Sequence, residues 1–279
     1  MNGGTNVRAA VLGLGIIGSR ACRLLAAACW NRTPRGIPCE CTTPEEAIAD
    51  ADVISIYLKD APALRDVAAR INPCLKPGQI VLNHSTVDLD TTLWLEKLCL
   101  ARDCRFLDAP FTGSKLAAES GQLVYYIGGD PALAAQVDDY LAVTSKSRIH
   151  CGGVGAATVV KLATNLISAC TVQAMAEALA IATRHGVPAD CLIHAVSQNA
   201  SGSPLAAMKF PTMVAGSYDT HFSLANMGKD SRYALALAAA AQVETPAISA
   251  VSQRMKELCD MGFGDHDYSV LAKPYLDPE

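Results

Sequence analysis

One lysine stands alone in the segment "CGGVGAATVVKLATNLISACTVQAMAE", which runs from Cys151 to Glu177. Lys161 is the only formal charge between Arg148 and Glu177. At helical spacing Thr158, Lys161, Asn165 and Ser168 share a face, while Val159, Val160, Leu162, Ala163, Leu166 and Ile167 fill the rest. A solvated helix face ordinarily carries several charges of both signs, so this is a narrow polar stripe on a mostly buried helix. Two readings fit it. Lys161 is a core-helix lysine that snorkels to water, or it is an ammonium held in a cleft for chemistry. In the second case it can stabilise and protonate an oxygen that gains negative charge. Burial moves such an amine down from its ordinary pKa of about 10.4, toward the range useful for proton transfer.

A second constellation lies near the start. "GLGIIG" places Gly13, Gly15 and Gly18 in G-x-G-x-x-G spacing, with Leu14, Ile16 and Ile17 between them, after an apolar run and before a helical one. Gly13 permits a tight turn, Gly15 lets a backbone approach a pyrophosphate, and Gly18 lets helix and strand pack closely. The helix N-terminus then offers free amides to the anion. An NAD site of this type has an acid about 20 positions on, to bind the ribose 2′-hydroxyl. Here the stretch is "CWNRTPRG", with Asn31, Arg32 and Thr33 and no acid. A guanidinium beside a hydroxyl suits a 2′-phosphate, so the expected cofactor is NADP(H). The alternative is that "NRTP" is only a polar turn.

These groups need a frame to hold them. "VRAAVLG", "DVISIYL", "QIVLNHS", "RFLDAPF", "QLVYYIGG" and "SRIHCGG" read as strands, with helical stretches between them at Pro62–Asn72, Asp88–Ala101 and from Pro131. That alternation predicts an α/β fold whose first half is a Rossmann-type, doubly wound, mostly parallel sheet. Between "LLAAA" and "CWNR" there is no loop and hardly room for a second strand of the usual length of about 5 residues, so either the strand is very short or chain is missing there. After Gly155 the pattern turns all-α. Helices are expected at Lys161, Pro188–Ser197, Lys229–Ala241 and Ala247–Met261, with "NASGSP" and "PTMVAGSYDTHFS" as loops. The break at Cys151–Gly155 divides the chain into a cofactor-binding domain, residues 1–152, and a helical substrate and association domain, residues 153–279.

The totals narrow the class. With 279 residues, 51% of them hydrophobic, the chain can fill two cores. A net charge of -4 and the absence of basic runs give no reason to expect nucleic acid or an anionic membrane as partner. No signal peptide is read at "MNGGTNVRAAVLG". No membrane helix of roughly 20 residues is expected, because Thr164, Asn165, Ser168, Thr171 and Gln173 interrupt the longest apolar stretch. The 11 cysteines are scattered, and "CEC" at Cys39 and Cys41 lacks the second pair a metal site needs, so reduced thiols in a cytoplasmic protein and no metal are expected.

Five separated blocks together resemble the β-hydroxyacid dehydrogenase family: "GLGIIGS", "NHSTVD", "DAPFTGSKLAAESGQL", "GVGAATVVKLATN" and "FSLANMGKD". The resemblance covers nearly the whole chain and is greatest to the glyoxylate/succinic semialdehyde reductases. It implies that Leu58, Lys59 and Thr86 bind the cofactor, that Ser85 and Thr86 lie beside the nicotinamide, and that Ser85 also touches substrate. It implies that Thr112, Gly113 and Ser114 bind a substrate carboxylate, and that Lys161 with Asn165 is catalytic. Lys229, with Asp230 beside it, would close over the cofactor. Thr112 replaces the family's usual serine, Phe111 is bulkier than expected, and Ala157 stands where a glycine is common. The implied activity is reduction of a small aldehyde acid, in a homodimer or homotetramer joined through residues after Gly155. Three rivals remain: an NAD-linked 3-hydroxyisobutyrate-type dehydrogenase, an imine reductase, and a catalytically silent binding scaffold.

Overall fold

The computed structural model describes residues 7–276, so residues 1–6 and 277–279 lie outside the described residues. With them go the ends of both expected domains and the first six residues of the segment read for a targeting signal. Among the described residues eight strands form one sheet: β1 (Ala9–Leu12), β2 (Ala28–Trp30), β3 (Val53–Ile56), β4 (Ile80–Asn83), β5 (Arg105–Asp108), β6 (Phe111–Thr112), β7 (Leu123–Gly128) and β8 (Ser145–Gly152). The strand order is β2-β1-β3-β4-β5-β7-β6, with β8 pairing β7. The first five strands run parallel, while β7 lies antiparallel to both β5 and β6. β3 and β4, "VISI" and "IVLN", are buried at every position, as expected of parallel strands covered on both faces. From β1 the chain passes outward to β2 and then back to β3 on the other side. This makes the C-terminal ends of β1 and β3 a topological switch point, where such sheets bind ligands.

The sheet's helices are α1 (Gly18–Leu25), α2 (Pro44–Ile48), α3 (Ala61–Ile71), α4 (Leu89–Leu100), α5 (Lys115–Glu119), α6 (Pro131–Gln136) and α7 (Asp138–Ala142). Their starts are legible. Thr43 and Glu46 form a capping box, and Asp60, Asp88, Ser114 and Asp130 each accept a first-turn amide. The second strand proves short. Ala26, in the left-handed region at φ 49°, ends α1 without a loop, and three residues of β2 follow directly. The segment Cys39–Cys41 lengthens this edge, because the Cys29 amide donates to the Cys39 carbonyl at 3.0 Å and the Cys41 amide to the Cys29 carbonyl at 2.7 Å.

The remaining helices are α8 (Ala156–Arg184), α9 (Ala189–Ser197), α10 (Pro204–Val214), α11 (Leu224–Ala240), α12 (Pro246–Leu258) and α13 (Lys273–Leu276). The chain forms two compact units, Met1–Lys161 and Leu162–Glu279, so the division falls inside α8. Two expectations are corrected here. The sequence pattern predicts a loop at "PTMV", yet this segment closes α10, whose Ser203 cap and Pro204 at its first position start it cleanly. Pro211 lies inside that helix, and this is what masked it. Also, α8 is long and apolar enough to cross a membrane by length and composition. The scattered polar residues did not lower its mean hydropathy below 1.5. Its Ala169, Val172, Ala176 and Leu179 pack into the core of the second unit with Phe210, Leu224 and Met255. That core also encloses an ion pair, Lys209 Nζ to Asp267 Oδ1 at 2.6 Å, with both side chains 3% exposed.

Candidate active site

The glycine loop sits at the switch point, and two of its glycines, Gly13 and Gly18, are required sterically. A Cβ on Gly13, at φ +100°, would lie 2.2 Å from the Tyr57 carbonyl oxygen, and one on Gly18 would lie 2.0 Å from the Gly13 oxygen. A Cβ on Gly15 would meet nothing within 4 Å beyond its chain neighbours, so the loop leaves open space at the position that must admit a pyrophosphate. Ile17 gives α1 no side-chain cap, and the Ser19 and Arg20 amides donate to the Gly15 and Ile17 carbonyls at 3.1 and 3.0 Å, which closes the turn into the helix. Ile16 is exposed beside them. At the end of β2 the Asn31 carboxamide ties the loop down. Its Oδ1 accepts the Leu14 amide at 2.9 Å, and its Nδ2 donates to the Thr33 carbonyl at 2.7 Å. Arg32 and Thr33 are exposed, and Arg32 pairs with Asp66 of α3 at 2.8 Å. The cradle and its donors fit a dinucleotide.

The ends of β3 and β4 meet the same loop. Ser85 Oγ accepts the Leu58 amide at 2.8 Å and donates to the Ile56 carbonyl at 3.3 Å. Ser85 is 3% exposed, so its hydroxyl is engaged in joining two strand ends. Thr86 is half-buried and Lys59 exposed. Beneath them lies a buried polar network. His84 contacts the Ala109 carbonyl through Nδ1 at 2.7 Å and Ser55 Oγ through Nε2 at 3.2 Å. Its ring stacks on Tyr57 at 4.5 Å, and Tyr57 shares a 2.7 Å hydrogen bond with Tyr125. Burial lowers the imidazole pKa to about 4, so His84 is neutral and is a structural support for Tyr57.

Thr112 ends β6, opposite Val124 of β7. Gly113 takes φ +140°, where a Cβ would press 2.8 Å from a Leu123 methyl. Ser114 caps α5 by accepting the Ala117 amide at 3.2 Å, which leaves its hydroxyl proton free to donate. Phe111 lies 6.0 Å from the Tyr57 ring.

On α8, Lys161 and Asn165 are each 8% exposed. The start of the helix is held by Asp108, at the end of β5, which accepts the Thr158 amide at 2.8 Å and the Thr158 hydroxyl at 2.9 Å. In the second unit, Asn165 Nδ2 donates to Asp230 Oδ2 at 2.7 Å, while Lys229 Nζ lies 2.8 Å from Asp230 Oδ1. Within the first unit the structure thus brings together Gly13, Leu14, Gly18, Asn31, Leu58 and Ser85. In the second it joins Asn165 with Lys229 through Asp230. Sequence reasoning did not single out Tyr57 or Asp108, and it noted Asp230 only as a neighbour of Lys229. For Asp108 the signal was a buried acid closing a strand, "RFLD", after two apolar residues.

Residues 8–153 match the NAD binding domain of 6-phosphogluconate dehydrogenase, and residues 155–275 match the domain described as NAD-binding of NADP-dependent 3-hydroxyisobutyrate dehydrogenase. The chain is 32% identical to glyoxylate/succinic semialdehyde reductase 2, chloroplastic, of Arabidopsis thaliana, over 93% of this chain and 77% of that one. The chain belongs to the β-hydroxyacid dehydrogenase family. As a β-hydroxyacid dehydrogenase it is an oxidoreductase acting on a CH–OH group, and its cofactor is a nicotinamide dinucleotide. Its fold is that of the Mycobacterium tuberculosis 3-hydroxyisobutyrate dehydrogenase structure with L-serine, at a TM-score of 0.89 and 22% identity over 98% of this chain and all of that one. The β-hydroxyacid dehydrogenase chain is also 27% identical to the cytokine-like nuclear factor N-PAC of Mus musculus, over 98% of this chain and 52% of that protein.

Proposed function

We propose that this β-hydroxyacid dehydrogenase reduces small aldehyde acids, glyoxylate or succinic semialdehyde, with NADPH, and that Lys161 is the proton donor. One observation carries the reading: Lys161 is buried in the second turn of α8, in a stretch without another formal charge. When bound, the reduced nicotinamide supplies a hydride to the carbonyl carbon. The Lys161 ammonium stabilises the charge that develops on the carbonyl oxygen and then delivers its proton there. Asn165, one turn along the same helix, adds a hydrogen-bonding amide that Asp230 anchors. The Thr112 hydroxyl, the Gly113 amide and the Ser114 hydroxyl hold the substrate carboxylate. Thr112 keeps the donor that a serine would supply, while Phe111 favours a short substrate.

Arg32 and Thr33 bind the 2′-phosphate. The exposed pair between Arg32 and Asp66 is worth about 0–1 kcal/mol, so it yields to a phosphate carrying close to two charges. The relative in Arabidopsis supports the substrate class through its name. N-PAC supports a second reading, a cofactor-binding scaffold without turnover, because its name describes a nuclear factor. A panel of small aldehyde acids, 3-hydroxyisobutyrate and a cyclic imine, assayed with NADPH, NADH and their oxidised forms, separates the readings. Consumption of NADPH on glyoxylate or succinic semialdehyde is expected. Activity only on 3-hydroxyisobutyrate with NAD, or only on the imine, would replace this proposal, and inactivity throughout would favour the scaffold.

A further inference from the structure

We propose that Asp108 is a positioning residue that fixes the rotation of α8 and thereby aims Lys161; this rests on the catalytic role proposed for Lys161. Asp108 is 0% exposed at the end of β5 and grips a single residue of α8 from two directions. Its Oδ2 accepts the Thr158 amide at 2.8 Å, and both carboxylate oxygens lie 2.9 Å from the Thr158 hydroxyl. A third direction comes from α4, where Thr92 Oγ1 lies 3.0 Å from Thr158 Oγ1. Thr158 has one hydroxyl proton, so the chain of donors runs from Thr92 to Thr158 to Asp108.

An amide and a hydroxyl of the same residue, held from a strand and from another helix, leave a helix no freedom to roll about its axis. Thr158 and Lys161 are three positions apart and share a face, so whatever fixes Thr158 fixes the direction in which Lys161 leaves the helix. The arrangement is a costly way to hold a fold. Burial pushes the Asp108 carboxyl up to about 6 despite the hydrogen bonds from Thr158 and the Gly155 amide. A carboxylate is nonetheless an acceptor at both oxygens, and an apolar contact would not set a rotation angle. Displacing a reacting group by about 1 Å costs on the order of 100-fold in rate, which is the scale at which such a clamp matters.

The test uses the full-length protein and the variants Asp108→Asn, Thr158→Val and Thr158→Ser. The primary readout is independent of substrate: the rate at which an acylating reagent labels Lys161, followed by mass spectrometry against exposed Lys115 and Lys256. Asp108→Asn and Thr158→Val should change the Lys161 rate and leave the two reference lysines alone. Thr158→Ser, which keeps the hydroxyl, should match wild type. On glyoxylate with NADPH the first two variants should lose ~10- to 100-fold in kcat, with NADPH dissociation unchanged. If Asp108→Asn does not fold, the contrast between Thr158→Val and Thr158→Ser decides alone. Wild-type labelling of Lys161 in Thr158→Val overturns the inference, whatever turnover does. Altered labelling in a protein that reduces no aldehyde acid upholds the clamp and removes the substrate reading instead.

Discussion

At the scale of single residues, the proposed preference for NADPH turns on Arg32. Its guanidinium stands where an acid would select the free ribose hydroxyl, and a charge-assisted contact to a phosphate is worth about 1.5–3 kcal/mol. Arg32→Asp should therefore cost NADPH at least ~10-fold in kcat/KM and leave NADH little changed or improved. Equal loss with both cofactors would return "NRTP" to a plain turn. Two other residues set opposing pH dependences. His84 titrates at about 4 in the fold against an ordinary 6.5, so its stabilisation is present above pH 6.5 and is lost as pH falls toward 4. Asp108 titrates at about 6 against 3.8, so its contribution is present below pH 3.8 and is lost as pH rises through 6. Between about pH 4 and 6 the two offset each other. Asp108→Asn removes one side, so the melting temperature of that variant should fall more steeply than wild type between pH 6.5 and 4. Parallel curves would show that these two groups do not govern the acid limb.

Elements were legible where local chemistry states them. "GLGIIG" after an apolar run, Asp60 and Asp88 before helices, and β-branched runs such as "VISI" carry their own signals. β2 was ambiguous because its three residues gain their edge partners from Cys39–Cys41, a pairing no local pattern announces. α10 was hidden by Pro211, which the packing of Phe210 and Met213 into the second unit's core outweighs. Lys161 was visible as a charge without neighbours, but the grip of Asp108 on Thr158 links residues 50 positions apart, and only the fold reveals it. α8 also carries an outward prediction. Val159, Ile167 and Ile181 are 41%, 62% and 63% exposed along one helix, leaving a long apolar stripe toward solvent. A second copy covering that stripe gives a homodimer or homotetramer through the helical half, consistent with the sequence expectation. Light scattering at micromolar concentration should read two or four chains, and Ile167→Glu should shift it toward one. A wild-type monomer would remove this prediction.

At the scale of the whole molecule, the family is settled by matches across both halves and by a 32% identical reductase, while the proposed reaction rests on Lys161. Each half contributes its own set of groups. The first holds the glycine cradle, the Thr112–Ser114 loop and Lys161, and the second holds the triad Asn165, Asp230 and Lys229. The buried-lysine alternative and the catalytic one make opposite forecasts for an uncharged side chain of similar length. A snorkelling Lys161 replaced by methionine would lose little activity and would suit an apolar helix. A proton donor and oxyanion partner so replaced should lose at least ~100-fold in turnover. The decisive measurement is therefore kcat for wild type and Lys161→Met on glyoxylate and succinic semialdehyde at saturating NADPH, with NADPH binding followed by fluorescence. The account predicts that Lys161→Met binds NADPH as wild type does and turns over at least ~100-fold more slowly. A Lys161→Met protein that binds NADPH and keeps near-normal turnover would contradict it.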